Sequence, residues 1–177
     1  SMFFCCMFDA LATTMATFSG QNIGAKKVSR IHEGLRATSV LGIVYCILAF
    51  VLIWLFGKSA IGLFVDSADV SVIDQAYQFL MINAAFYIPL LFVNIVRLSI
   101  QGMGYTRLAV FAGVMEMIAR VLVGAFLVPV FGYVAACFAS PVAWLFADAF
   151  LFPSYFKIMK KLETRMKVND APAVPQG

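Results

Sequence analysis

Residues 94–120 read NIVRLSIQGMGYTRLAVFAGVMEMIAR: an apolar run that holds Arg97, a short polar turn, and a second apolar run that holds Glu116 and Arg120. Gly102 and Gly104 break the helical pattern and allow the backbone angles of a turn. Arg97 and Arg107 bracket that break with positive charge, as at a cytoplasmic membrane face. Glu116 and Arg120 lie deeper, inside a run long enough to cross a bilayer. Ionisable groups there are costly, so they are expected to be buried in a helical bundle or to line a watery cavity. Their i, i+4 spacing, acid first, lets them pair along one helix face. A buried ion pair seldom adds stability, so gating or a place on a translocation pathway explains the pair better than a passive brace.

Composition extends this reading to the whole chain. Of 177 residues, 63% are hydrophobic and 12% charged, against about 25% charged in a soluble domain, and mean hydropathy is +0.93. The expected class is an all-α, polytopic membrane bundle. Long continuous apolar runs replace the ~10-residue alternating strands of a β-barrel. The net charge of +4 is spread over connections between spans, so it reports orientation and not a nucleic-acid surface. Cys5, Cys6, Cys46 and Cys137 sit in apolar runs without metal-ligand spacing. They read as small core or lipid-facing residues, and no metal site is expected.

About five spans are expected, near residues 2–20, 37–56, 76–99, 108–128 and 133–152, forming one transmembrane unit over residues 1–156. The first carries Asp9, Thr13, Thr17, Gly20, Gln21 and Gly24 along one face. That face suits helix packing by small and hydroxyl residues, while Asp9 fits either headgroup water or a cavity wall. A basic connection follows, with Lys26, Lys27, Arg30 and Arg36 against Glu33, and with His32 as a solvated side chain. The second span is uncharged and reads as lipid-facing, with Trp54 at an interfacial belt. Beyond it Lys58 meets Asp66, Asp69 and Asp74, whose spacing suits helix caps and not a calcium loop, and Ile61 to Phe64 could dip into the interface.

The third span sets Asn83, Tyr87, Asn94, Arg97 and Gln101 on one stripe, with Pro89 at its middle to bend it. A bent helix with central amides makes a cavity wall; amide hydrogen bonds that glue helices together are the alternative. Pro129 and Gly132 close the fourth span. The fifth carries Ser140, Trp144 and Asp148 in a row, with Asp148 placed to pair with Lys157 or a neighbouring span. Residues 157–177 form a basic tail ending in a Pro- and Ala-containing stretch expected to be disordered.

Basic residues gather after the first span, between the third and fourth, and after the fifth. The positive-inside rule then puts the C-terminus in the cytoplasm and the N-terminus outside. A start within an apolar run, outside and without a signal peptide, suggests that spans precede this stretch.

Three segments carry a resemblance to a known family: Gln21-Asn22-Ile23-Gly24-Ala25 with its basic connection, Gln101-Gly102-Met103-Gly104, and Gly113-Val114-Met115-Glu116 through Arg120. In order and spacing they resemble the C-terminal half of multidrug and toxic compound extrusion (MATE) transporters, helices eight to twelve. The resemblance implies a partial lobe of a twelve-helix fold with two six-helix lobes around a central cavity. It also implies secondary active efflux of amphipathic, often cationic compounds in exchange for Na+ or H+ by alternating access. It calls for no cofactor beyond the coupling ion. The implied partners are the missing N-terminal lobe of the same polypeptide, the bilayer of the cell's inner membrane, and a small-molecule substrate.

The family's coupling carboxylates lie chiefly in helices one, seven and ten. The first two have no counterpart here, and Asn83 and Asn94 stand on the span matching helix ten. Glu116, Arg120, Asn83, Tyr87, Asn94 and Asp9 are the candidates for the substrate or ion pathway. A lipid-linked oligosaccharide flippase of the same superfamily would want more Arg and Lys in its cavity. A non-transporting scaffold leaves the polar stripes unexplained. No nucleophile–base pair, metal constellation or phosphate-cradling loop points to an enzyme.

Overall fold

The computed structural model describes residues 2–62 and 70–169. Asp66, Asp69, the Leu63–Phe64 dip and the Pro- and Ala-containing end lie outside them. Every described element is a helix: α1 (Met2–Gly24), α2 (Val28–Gly62), α3 (Val70–Ala85), α4 (Tyr87–Gly102), α5 (Thr106–Leu122), α6 (Val128–Phe131) and α7 (Tyr133–Asn169), with a π-turn at Val123–Leu127 between α5 and α6. The chain is thus an all-α helical bundle, as the apolar runs require.

Among the described residues three helical stretches are long and apolar enough to cross a membrane: α2, the α5–α6 run Thr106–Phe131, and α7. The bent pair α3 and α4 makes a fourth if counted as one span. Large side chains of α2 face outward, including Val40, Leu41, Val44, Leu48, Leu55 and Trp54, as lipid-facing surface does.

Several boundaries differ from the expected ones. The basic connection after the first span shrinks to a turn at Ala25–Lys27, where Lys26 takes φ 56°. Arg30, His32, Glu33 and Arg36 belong to α2, since these residue types propagate a helix well once it leaves the hydrocarbon. His32 is correspondingly not a free, solvated side chain. It is half-buried, with Nδ1 at 3.3 Å from the Tyr155 hydroxyl and its ring edge-on to Tyr155. At the other end of α2, Lys58 pairs with Asp74 of α3 at 2.8 Å on an exposed surface.

The third span does bend, by 52°, but the break is at Phe86 and not at Pro89. Proline suits the first turn of a helix, where its missing N–H costs no bond. The chain accordingly restarts at Tyr87, with Pro89 in the opening turn of α4. Pro129 does not close the fourth span either. The wider π-turn just before it takes up the lost hydrogen bond and the helix continues to Phe131. Gly132, at φ 62°, makes the corner.

α7 runs through Pro141 and Pro153, and the basic segment after 156 continues that helix to Asn169. Membrane helices hold prolines where neighbouring helices fix the backbone. Ala143, Ala147 and Leu151, all fully buried, pin α7 across this region.

The core sits between α1, α2, α4 and α7, around Phe8, Met15, Ile31, Leu91, Ile95, Ile100 and Tyr155. α1 meets α4 through Ala12, Ala16, Ser19 and Gly20, with Phe8 and Met15 flanking. Of the expected packing face Gly20 lies in this contact, whereas Asp9, Thr13, Thr17 and Gln21 are exposed, so that expectation holds at Gly20 and is corrected at the polar residues. Helices in lipid gain little from burying apolar surface against each other, and close contact of small residues supplies the attraction.

Ser19 and Ser99 share a buried hydrogen bond at 2.9 Å across this interface. Ser19→Ala is expected to cost about 1 kcal/mol by leaving Ser99 unpaired. Removing both hydroxyls should cost no more than about either single change. Unfolding of the four species in detergent checks the cycle; additive losses would mean that the two hydroxyls are uncoupled.

Candidate functional site

Three sequence-selected side chains converge between α4 and α5. Glu116 is mostly buried, its side chain 15% exposed, and is bonded on both oxygens. Arg120, one turn further on α5, donates from Nη2 to Oε1 at 2.7 Å. Arg97 of α4 reaches across and donates from Nη1 to Oε2 at 3.4 Å. The pair expected along α5 is therefore part of a trio that ties two helices together. Arg97 stood on the polar stripe of the third span but was read as a marker of the membrane face. Its partnership with Glu116 needs the antiparallel return at Gly104, which no one-dimensional spacing contains.

The turn makes the trio possible. Gly104 adopts φ 88°, a left-handed angle that favours glycine, and Thr106 restarts the chain as α5. Glu116 then lies ten residues beyond Thr106, about 15 Å into the span. Two guanidiniums around one carboxylate leave a net charge of +1, which a low-dielectric setting makes expensive unless each group is paired. Arg120 remains half exposed and Arg97 less so, so the excess charge sits on the more accessible side.

The remaining candidates lie elsewhere. Asn83 and Asn94 each donate Nδ2 to a carbonyl of their own helix, Phe79 and Leu90, at 2.8 and 2.9 Å. These amide donors therefore do not glue neighbouring helices. Tyr87 is buried, its ring edge-on to Phe8 at 5.5 Å, and its hydroxyl has no hydrogen-bond partner among the described residues. It packs on α1 and does not face open space. Asp9 is exposed on α1. It stands ten residues from Ser19, which is level with Ser99, so it is about 15 Å along the bundle from the Arg97 end of α4.

The row continuing from Asp9 is the other notable polar surface. Thr13, Thr14 and Thr17 donate their hydroxyls to the carbonyls of Asp9, Ala10 and Thr13. Their oxygen lone pairs remain to accept from outside. Thr13, Thr14, Thr17, Phe18 and Gln21 line an open cleft of about 340 Å³.

Asp148, placed by the sequence to pair with Lys157 or a neighbouring span, makes neither pairing among the described residues. It is 8% exposed, Oδ1 has no hydrogen-bond partner among the described residues, and Lys157 points outward. The signal for it was present in the sequence, as a lone acid in an apolar run, but proximity to the basic segment suggested a pairing that helical geometry does not make.

A family model, MatE, matches residues 1–130, which takes in α1 to α5, the π-turn and part of α6. No curated protein and no solved structure matches the chain. The match spans well over half of the sequence and agrees with an all-helical membrane bundle whose polar groups gather on particular helix faces, and the chain belongs to the MatE family of membrane transporters.

Proposed function

We propose that the chain is part of the C-terminal lobe of a cation-coupled efflux transporter, its helices corresponding to the eighth to twelfth of the full fold, and that the intact protein exports amphipathic cations in exchange for Na+ or H+. The observation that carries this reading is the uncovered face of α1. A carboxylate, three hydroxyl oxygens and an amide, Asp9, Thr13, Thr14, Thr17 and Gln21, stand exposed on a helix whose other side is closely packed. An acceptor-rich row beside an aromatic ring, Phe18, suits a bulky organic cation, which takes hydrogen-bond acceptors and a ring face together. In this reading the second lobe lies opposite that row and closes a central cavity.

Glu116 acts at a distance from that row. Its bond to Arg97 holds α4 to α5, so releasing that arginine changes how the two helices sit together. An equilibrium between two arrangements of such a trio is what alternating access requires of a gate. A flippase would need arginines free for phosphate, and Arg97 and Arg120 are both engaged with Glu116.

The test is efflux of a fluorescent organic cation by the full-length transporter in everted membrane vesicles, with an imposed Na+ or H+ gradient. Gradient-dependent export is expected, reduced about ten-fold or more by Asp9→Asn. Equal dye retention with and without a gradient would overturn the reading.

A further inference from the structure

The last stretch of α7 sorts its side chains by chemistry around the helix. Tyr155, Ile158 and Met159 are buried in the bundle, and Leu162 and Met166 pack on the same core. On the other side Lys157, Lys160, Lys161 and Arg165 are exposed. With Thr164 they line a shallow cleft of about 380 Å³. Lys160, Lys161 and Arg165 stand three, four and eight residues beyond Lys157, which puts the four cations on one side of the helix over about two turns. Glu163 stands off the row and lines a separate cleft with His32, Glu33 and Arg36.

Among the described residues these cations have no internal anion. The ion pairs among the described residues are Lys58–Asp74, Arg97–Glu116 and Arg120–Glu116, and none involves the row. A requirement for positive charge at one membrane face would be met by cations in any arrangement. Attraction to the negative end of the helix dipole falls off within the last turn, whereas this row begins about three turns before Asn169. Neither effect accounts for the alignment.

The surface leading to the row identifies what meets it. Phe146, Ala149 and Pro153, spaced three and four residues apart, are exposed on the side of α7 that leads to Lys157, whereas Phe156 lines the cleft of Glu163. That side changes from uncharged side chains to cations between Pro153 and Lys157. At 1.5 Å per residue Lys157 stands about 36 Å along α7 from Tyr133, and Arg165 about 48 Å, against a hydrocarbon core about 30 Å thick. A lipid whose chains lie along Phe146 and Pro153 has its phosphate at the level where the cations begin.

We infer that the row Lys157–Lys160–Lys161–Arg165 is a docking site for the headgroups of anionic phospholipids. Lys and Arg near an anionic surface gain about a five-fold preference each, lost with rising salt. The row therefore holds anionic lipid at the end of α7 in preference to zwitterionic lipid.

The chain, reconstituted in mixed phosphatidylglycerol and phosphatidylcholine vesicles and extracted into mild detergent, is tested by native mass spectrometry for the lipids it retains. Wild type is expected to retain phosphatidylglycerol over phosphatidylcholine at least about ten-fold above its proportion in the vesicle. A variant with all four cations changed to Gln should lose that preference. Lys26→Gln/Lys27→Gln/Arg30→Gln/Arg36→Gln, with the same change in net charge, should keep it, as should Arg165→Lys. Equal loss in both quadruple variants would reduce the effect to overall charge and overturn the site. Displacement of the lipid by millimolar inorganic phosphate would make it a soluble-anion site and equally overturn it. Monodisperse elution and unchanged helicity of each variant separate lipid loss from misfolding.

Discussion

Glu116→Gln is expected to lower gradient-driven efflux by the full-length transporter about ten-fold or more while leaving expression and membrane insertion intact. Glutamine is nearly isosteric but carries no charge, so Arg97 and Arg120 lose the carboxylate that holds them 3.4 and 2.7 Å from its two oxygens. Two unneutralised guanidiniums then share one cleft between α4 and α5. Removing one member of a buried ion pair costs about 3–5 kcal/mol. Arg120 is half exposed, so about 2 kcal/mol is the better expectation here.

Singly removing the arginines discriminates further. Arg120→Gln keeps the bond between α4 and α5 and should be the milder change, whereas Arg97→Gln cuts it and should approach Glu116→Gln. Glu116→Asp, with the charge kept and the reach shortened, should recover part of the activity. Unimpaired transport by Glu116→Gln would reduce the trio to a brace.

Gly102→Ala is expected to have the largest effect on stability of any single methyl added to the chain. A Cβ at Gly102 would fall on the backbone carbonyl of Ala16, which cannot move aside as a side chain could. α1 and α4 would have to separate, and with them the Ser19–Ser99 bond. About 3 kcal/mol is the expected loss, the upper end of the range for overpacking.

Two other glycines give the comparison. Gly113→Ala, in mid-helix with open space around it, should be neutral or slightly stabilising. Gly104→Ala meets no neighbour but sits at φ 88°, and should cost about 1 kcal/mol through the backbone alone. Unfolding midpoints in detergent for the three variants order the effects. A Gly102→Ala chain as stable as Gly113→Ala would refute the close approach.

Gly102 also shows what could be read from sequence and what could not. Two glycines near a polar turn were both taken as backbone breakers. Only Gly104 has the angle, whereas Gly102 is helical and small because another helix passes over it. The same limit applies to α1. Asp9, Thr13, Thr17 and Gln21 made a visible row, and polarity drew the eye to it as a contact surface. Of the residues expected there Gly20 makes the contact, alongside Ala16 and the buried Ala12, whose apolar side chains carry no polarity to mark them. Apolar runs located the helices because hydrocarbon demands satisfied backbone. They could not locate helix ends, because Arg30, His32 and Arg36 extend a helix into water as readily as leucine extends it through lipid.

The reach of Glu116 to Arg120 was legible because both lie on one helix. Its reach to Arg97 was not, since it depends on the angle at which Gly104 returns the chain. Asp148 was misplaced for a related reason: sequence distance from Lys157 measured nearness along the helix but not the opposite directions in which the two side chains leave it.

The corner at Gly132 bears on biosynthesis. It joins Phe131 to Tyr133 through one residue, with no charged or amide side chain between Arg120 and Ser140 to wait in water while one leg enters the membrane alone. The two legs are therefore expected to enter the lipid as a single hairpin, and a charged residue placed at Val130 or Phe131 is expected to hinder both together.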